Sequence, residues 1–243
     1  MRTAYVTGAD RGLGYELTKA LLGRGCKVYA GQYMPEWEQL ASLKGQYGKR
    51  LAVLPLDVSN LIQVNAAAEA IRAGGEPLDY VFNVAGIHHK DDFGTIFDGF
   101  GEGDYASMQR CYDVNALGPL RVTSSVLDLI TKGEGKAIVI ISSEAGSVGG
   151  NRRDGEYGYC MSKAALNMQS AILQHSVAHL GIKVLCLYPG WIRTYIIDGK
   201  LNEQATEDPL DVANRIVDML GSQTHMNLAS PMYMDYRGAP LPY

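Results

Sequence analysis

Only four cysteines occur in 243 residues, and none belongs to a Cys-x-x-Cys pair or a zinc-type spacing. Cys26, Cys111, Cys160 and Cys186 therefore read as free thiols in a reducing compartment, not as a disulfide framework or a metal knuckle. Positive charge is not in excess either. Lys and Arg number 22 against 26 Asp and Glu, a net charge of −4. No basic stripe interleaved with aromatics is present, so nucleic acid is not an expected partner. Long apolar runs are also missing. The chain reaches a glycine loop at Gly8 without the roughly 7–15 apolar residues of a signal peptide core. No stretch approaches the ~18 apolar residues of a membrane span. The expected location is the cytoplasm, with no membrane partner. No linker, repeat or low-complexity segment interrupts residues 1–243, which reads as a single domain.

Apolar residues make up 47% of the chain, enough for a sizeable core. Short apolar runs alternate with helix-like segments. Strands are expected at Thr3–Val6, Lys27–Ala30, Arg50–Leu56, Leu78–Asn83, Lys136–Ile141, Lys183–Tyr188 and Met232–Tyr236. Helices are expected at Tyr15–Leu22, Pro35–Tyr47, Leu61–Ala73, Asp104–Thr131, Tyr157–Leu180 and Pro209–Leu220. The run Ala137–Ile141 is apolar throughout, which suits a parallel strand covered on both faces. Such alternation predicts an α/β fold, a Rossmann-type doubly wound parallel β-sheet with helices on both faces. Ligands bind such sheets at the carboxyl ends of the strands.

The polar signals gather at those ends. Gly8, Gly12 and Gly14 lie between the first strand and the first helix. Glycines there let the backbone approach a pyrophosphate, and a helix N-terminus supplies free N–H groups. The spacing is Gly-x-x-x-Gly-x-Gly, not the Gly-x-Gly-x-x-Gly fingerprint. An acidic residue ending the second strand would hold the ribose of NAD. Gly31-Gln32 stands there instead. With no carboxylate to repel a 2′-phosphate and with Arg11 in the glycine loop, NADP is the expected cofactor and NAD the alternative. Asp57, ending the third strand, suits either an adenine contact or a cap on the turn that follows. Asn115 lies inside an expected helix, where asparagine is a mediocre residue, and simple exposure would explain it. His88-His89 with Asp91-Asp92 has no helical or hairpin metal spacing and reads as a solvated loop, so no metal is expected. Tyr159 and Lys163 are four apart, one turn of a helix, so both point the same way. An ammonium beside a phenol lowers its pKa and fits it for acid/base work.

These motifs, in this order and spacing, resemble the short-chain dehydrogenase/reductase family over essentially the whole chain. The matching residues are Thr7-Gly8-x-x-x-Gly12-x-Gly14, Asp57-Val58, Asn83-x-Ala85-Gly86, Asn115, Ser143, Tyr159-x-x-x-Lys163 and Pro189-Gly190-x-x-x-Thr194. The gap from Ser143 to Tyr159, with the ending Tyr236-Arg237-Gly238, is similar to the C-factor-like and sniffer-like carbonyl reductases. The resemblance implies hydride transfer between NADP(H) and a carbonyl or secondary alcohol. In that scheme Tyr159 is the general acid/base. Lys163 lowers its pKa and holds the nicotinamide ribose. Ser143 binds the substrate oxygen, and Asn115 supports a proton relay. Tyr157 and Ser142 are competitors that the pattern disfavours. Implied cofactor contacts are Gly8, Asp10, Arg11, Gly12, Leu13, Gly14, Gln32, Asp57, Val58, Asn83, Ala85, Gly86, Tyr159, Lys163, Pro189, Gly190, Ile192 and Thr194. Val84 departs from the family, which usually has a second asparagine there. The family also implies a homodimer or homotetramer acting on a small molecule. The alternative is a catalytically idle nucleotide-binding sensor on the same fold. Trp191 and Tyr195 are expected to line the substrate pocket. Arg152, Arg153 and Arg193 are candidates for an acidic substrate group, although solvated loop positions suit them better.

Overall fold

The computed structural model describes residues 1–221 and 230–243. Its centre is one seven-stranded sheet, all parallel, in the order β3-β2-β1-β4-β5-β6-β7. The strands are β1 (Thr3–Val6), β2 (Lys27–Gln32), β3 (Leu51–Pro55), β4 (Tyr80–Asn83), β5 (Ala137–Ile141), β6 (Lys183–Tyr188) and β7 (Met232–Asp235). The helices are α1 (Gly12–Gly23), α2 (Gln39–Tyr47), α3 (Leu61–Ala73), α4 (Glu102–Tyr112), α5 (Gly118–Ser125), α6 (Leu127–Lys132), α7 (Tyr157–Val177) and α8 (Pro209–Gly221). Side chains alternate across each strand. Ala4 and Val6 pack with Leu17 of α1, Leu40 of α2 and Ile216 of α8. Tyr5 packs on the other face with Ile71 of α3, Val122 of α5 and Leu166 of α7. Both faces are thus covered, as a doubly wound sheet requires.

From β1 the strand order runs one way to β2 and β3 and the other way to β4 and β5. The crevice at this switch point opens above the carboxyl end of β1. Thr7 closes its floor. The Thr7 backbone N–H donates to the Phe82 carbonyl, and its Oγ1 accepts from Val84 N (3.0 Å) and Ala85 N (3.1 Å). Gly8 has φ 61°, and a Cβ there would lie 2.8 Å from Ala85 Cα. Glycine is therefore needed for both the turn and the close approach.

Two expected helices differ from the sequence reading. The second helix begins at Gln39, not Pro35, because the chain first turns, with Trp37 N donating to Met34 O. Gln32 Nε2 reaches the Met34 and Trp37 carbonyls of that turn. The single helix expected over Asp104–Thr131 is three, α4, α5 and α6, with a π-helical turn at Asp113–Leu117 between the first two. Pro119 has no N–H for the carbonyl of Asn115, four residues back, and its ring crowds that group. Gly118 passes so close to the end of β3 that a Cβ would meet Val58 Cγ2 at 2.7 Å. The widened turn drives Asn115 inward, and its side chain is fully buried, not exposed.

The segment His88–Asp92 is not a solvated loop, since His88 and Asp92 are both buried. Both Asp92 carboxylate oxygens accept from the start of α7, from Gly158 N and Tyr159 N at 2.7 Å each. They satisfy orphan donors of the helix and place negative charge at its positive end. All four cysteines are free thiols.

A second buried carboxylate ties the opposite edge. Asp79 accepts from Thr3 N (2.8 Å), Arg2 Nη1 (2.7 Å), Glu134 N (3.0 Å) and Gly135 N (2.8 Å). Burial alone pushes the Asp79 carboxyl up. The Arg2 and backbone hydrogen bonds outweigh that and hold it below its ordinary range. Its stabilisation is therefore full above the unfolded-state value near about 4 and is lost as pH falls through the depressed folded value. Asp79→Ala should cost roughly 3 kcal/mol, because several buried donors lose their acceptor. Denaturant melts at neutral pH and at successively lower pH check both statements: the wild-type advantage over the variant should vanish in acid.

Candidate functional site

A cleft of about 1010 Å³ runs across the carboxyl ends of β1, β4, β5 and β6. One end is built by the glycine loop. Helix α1 begins there with Arg11 as its N-cap, no side-chain cap and no acid in its first turn. Its first N–H groups are thus available to an anion. Gly12, at φ 54°, lies under Thr194, whose Cγ2 would meet an added Cβ at 3.2 Å. The segment after β6 therefore folds down over the glycine loop. Gly190, at φ 82°, starts that segment, and Glu207, Tyr236 and Arg237 hold its turn. This chemistry and shape fit the pyrophosphate of a dinucleotide.

Arg11 sits at the outer rim. Its guanidinium lies 4.8 Å from the Trp37 ring centre and 5.6 Å from that of Tyr195, and its Nη2 donates to the Tyr195 carbonyl. Stacking restrains the side chain and leaves other N–H groups for a phosphate. Asp10 also lines the cleft, but its carboxylate is engaged by Met34 N at 2.8 Å. Gln32 is not part of the cleft wall, since its amide serves the Met34–Trp37 turn. Asp57 caps the turn that follows it. Its Oδ1 accepts from Ser59 N (2.9 Å) and Oγ (2.6 Å), while the residue itself lines the cleft. Leu13, Val58, Ala85, Gly86, Pro189 and Ile192 line it too. Asn83 does not. Its side chain is buried, and Nδ2 donates to Thr123 Oγ1 of α5.

At the inner end Ser143, Tyr159 and Lys163 converge on the same cleft. Ser143 follows β5 in a short turn, and Tyr159 and Lys163 occupy the first two turns of α7. Lys163 Nζ is buried, donates to the Ile141 carbonyl at 2.9 Å and lies 5.7 Å from the Tyr159 ring centre. Burial pulls the Lys163 ammonium down to about 8. Burial also pushes the Tyr159 phenol above its ordinary value, and the hydrogen bond with Ser143 opposes this without overcoming it. The downward shift expected from Lys163 is therefore not the net result in this cleft: desolvation wins.

Asn115 stands just behind the wall. Its Oδ1 accepts from Ile87 N (2.8 Å), and its Nδ2 donates to the Ile87 carbonyl (2.9 Å) and to Ser162 Oγ (3.0 Å). It clamps the loop after β4 to α7. Of the competitors, Ser142 gives its proton to Asn167 Oδ1 at 2.5 Å, and Tyr157 is absent from the cleft wall. Trp191 and Tyr195 do line it. Arg152 and Arg193 do not line it, and Arg193 pairs with Asp208. Arg153 does, but Glu144 and Glu156 already occupy it.

Sequence reading gave no role to Glu144 or Tyr233, and it took His88 and Asp92 for a solvated loop. The His88 ring stacks on Tyr159 with centres 4.3 Å apart, and burial takes its pKa down to about 4, so it is neutral. Tyr233 Oη donates to the Ser143 carbonyl at 2.6 Å. Glu144, adjacent to Ser143, carried a signal in its position; His88, Asp92 and Tyr233 reach the site from distant parts of the chain.

Comparison with known proteins agrees with this geometry. Residues 2–205 match the family model for short chain dehydrogenase. The chain is 32% identical over 167 residues to C-signal of Myxococcus xanthus, covering 69% of this chain and 93% of that protein. Among solved structures, carbonyl reductase Sniffer of D. melanogaster superposes with a TM-score of 0.86 at 24% identity over 100% of both chains, a likeness of fold. The NADPH-bound carbonyl reductase from chicken fatty liver has a TM-score of 0.84 at 26% identity, covering 100% of this chain and 99% of that one. The protein belongs to the short-chain dehydrogenase/reductase family of oxidoreductases.

Proposed function

We propose that the protein is an NADP-dependent carbonyl reductase, interconverting a carbonyl compound and its secondary alcohol. The observation that carries this reading is the convergence of Ser143, Tyr159 and Lys163 at one end of a cleft whose other end holds the glycine loop and Arg11. The NADPH-bound chicken carbonyl reductase supports it. The α1 N-terminus would hold the pyrophosphate and Arg11 the 2′-phosphate. Asp57 and Val58 would meet the adenine, and Thr194 with the turn at Gly190 the carboxamide. Bound there, the reduced nicotinamide supplies a hydride to the carbonyl carbon. Tyr159 gives its proton to the carbonyl oxygen, and Ser143 donates a hydrogen bond that strengthens as charge develops there. Lys163, anchored on Ile141, holds the nicotinamide ribose and keeps positive charge beneath the Tyr159 ring. Asn115 positions rather than reacts, since it fixes the Ile87 backbone and Ser162. We further propose a cytoplasmic enzyme that forms a homodimer or homotetramer through α4 and α7, which expose Tyr105, Met161, Met168 and Ile172.

Tyr159→Phe should lower carbonyl reduction by roughly 10²–10⁴-fold while NADPH binding, followed by fluorescence titration, stays near wild type. NADPH binding without turnover across a broad carbonyl panel by the wild type would favour the idle sensor instead. Arg11→Ala should weaken NADPH binding by about tenfold or more and leave NADH binding unchanged. Equal losses for both cofactors would remove Arg11 from the phosphate site. Because Lys163 is held near 8 by burial, it is an ammonium below that pH and loses its charge above it. Reduction kcat/KM should therefore decline as pH rises through about 8, which a pH–rate profile reads directly.

A further inference from the structure

Glu144 follows Ser143 and projects a half-exposed carboxylate into the cleft wall. Its two oxygens have different partners. Oε1 is paired with Arg153 Nη2, and Oε2 accepts the Ser143 hydroxyl proton at 2.9 Å. Arg153 is itself doubly engaged, since its Nε also meets Glu156 at 3.2 Å. Its guanidinium is spent on this chain's own carboxylates. Burial raises the Glu144 carboxyl, but the Arg153 and Ser143 hydrogen bonds more than offset this, so the group is an ionised acceptor.

This arrangement creates a conflict. Ser143 has one proton. To stabilise a carbonyl oxygen it must turn that proton from Glu144 to the substrate. Glu144 then loses the Ser143 donor inside a partly desolvated cleft and, Arg153 apart, keeps only an interaction with Tyr188, which is unfavourable. A substrate that brings its own donor resolves the conflict. Oxygens on adjacent carbons stand at about hydrogen-bond distance from each other, which matches the 2.9 Å between Ser143 Oγ and Glu144 Oε2. The carbonyl oxygen takes the Ser143 proton, and a hydroxyl on the neighbouring carbon gives its proton to Glu144.

We propose that Glu144 is a specificity-determining residue that selects α-hydroxycarbonyl substrates, reduced to vicinal diols, over carbonyl compounds lacking the neighbouring hydroxyl. The inference rests on the reductase reading above. The reaction adds the hydride supplied by the nicotinamide to the carbonyl carbon. The C=O π pair moves to oxygen, which takes the Tyr159 proton, and the α-hydroxyl is unchanged. An α-keto acid is disfavoured, because its carboxylate would face Glu144 while Arg153 is occupied.

The test compares α-hydroxyacetophenone with its methyl ether, which keeps the inductive effect and removes the donor, and with benzoylformate. Wild-type kcat/KM with NADPH should favour the hydroxy compound over the ether by at least about tenfold. Glu144→Ala should bring the ratio near unity, and isosteric Glu144→Gln should give an intermediate ratio. Calorimetry in the presence of NADP⁺ gives a readout independent of turnover. Phenylethanediol should bind wild type at least about tenfold more tightly than its monomethyl ether, with the difference lost in Glu144→Ala. Turnover or binding without hydroxyl preference, a ratio unchanged in both variants, or preference for benzoylformate would overturn the inference while the reductase reading stands. Absence of turnover with every compound would overturn both.

Discussion

The site depends on pinning the first turn of α7. Tyr159 and Lys163 occupy that helix's first two turns, so any rotation or fraying there would move the Tyr159 hydroxyl. Asp92 prevents it by accepting from Gly158 N and Tyr159 N, both orphan donors of the helix. Asn115 holds the next turn from the side through Ser162, whose Oγ donates back to the Tyr159 carbonyl, and Lys163 ties that turn to β5 through the Ile141 carbonyl. Helix, strand end and the loop after β4 thus form one hydrogen-bonded body. Ser143 enters it through Tyr233, which holds the Ser143 carbonyl from β7.

Burial gives the site its electrostatic character. Among protein groups alone, desolvation pushes the Tyr159 phenol up and the Lys163 ammonium down. A tyrosine so placed is a proton donor, which suits reduction. His88 stacked on its ring is neutral and places no further cation beside it. The charged groups nearest the substrate end are instead Glu144, Arg153 and Glu156, which largely satisfy one another. At that end Arg153 is paired with carboxylates and Lys163 is held on the Ile141 carbonyl, whereas Arg11 at the rim is stacked between aromatic rings.

Much of this was legible in the sequence. Apolar runs gave the strands, because strands buried on both faces cannot alternate with polar residues. The helix Leu61–Ala73 and the strand Lys183–Tyr188 have the expected bounds. The glycine loop, Ser143, Tyr159 and Lys163 lie where strand ends and a helical turn put them. Periodicity failed where a single residue breaks a long pattern. The apolar spacing from Asp104 to Thr131 runs through Gly118-Pro119, yet Pro119 withholds the hydrogen bond that would keep the helix regular. Asn115, for which its helix position alone suggested exposure, is buried for that reason. Asp92 and Tyr233 were not legible at all, because each acts on a residue far away in the chain. Gln32 was misplaced because a strand-end position does not say which way a side chain turns.

The most direct test of the account is transfer of deuterium from NADPH labelled at one or the other C4 position to an accepted carbonyl compound. If Tyr159, Ser143 and Lys163 hold the carbonyl over the nicotinamide as argued, one labelled form delivers its deuterium to the carbinol carbon, and the other delivers none. Absence of label in the alcohol with both forms, or equal transfer from both, would contradict hydride transfer in a cleft of this geometry.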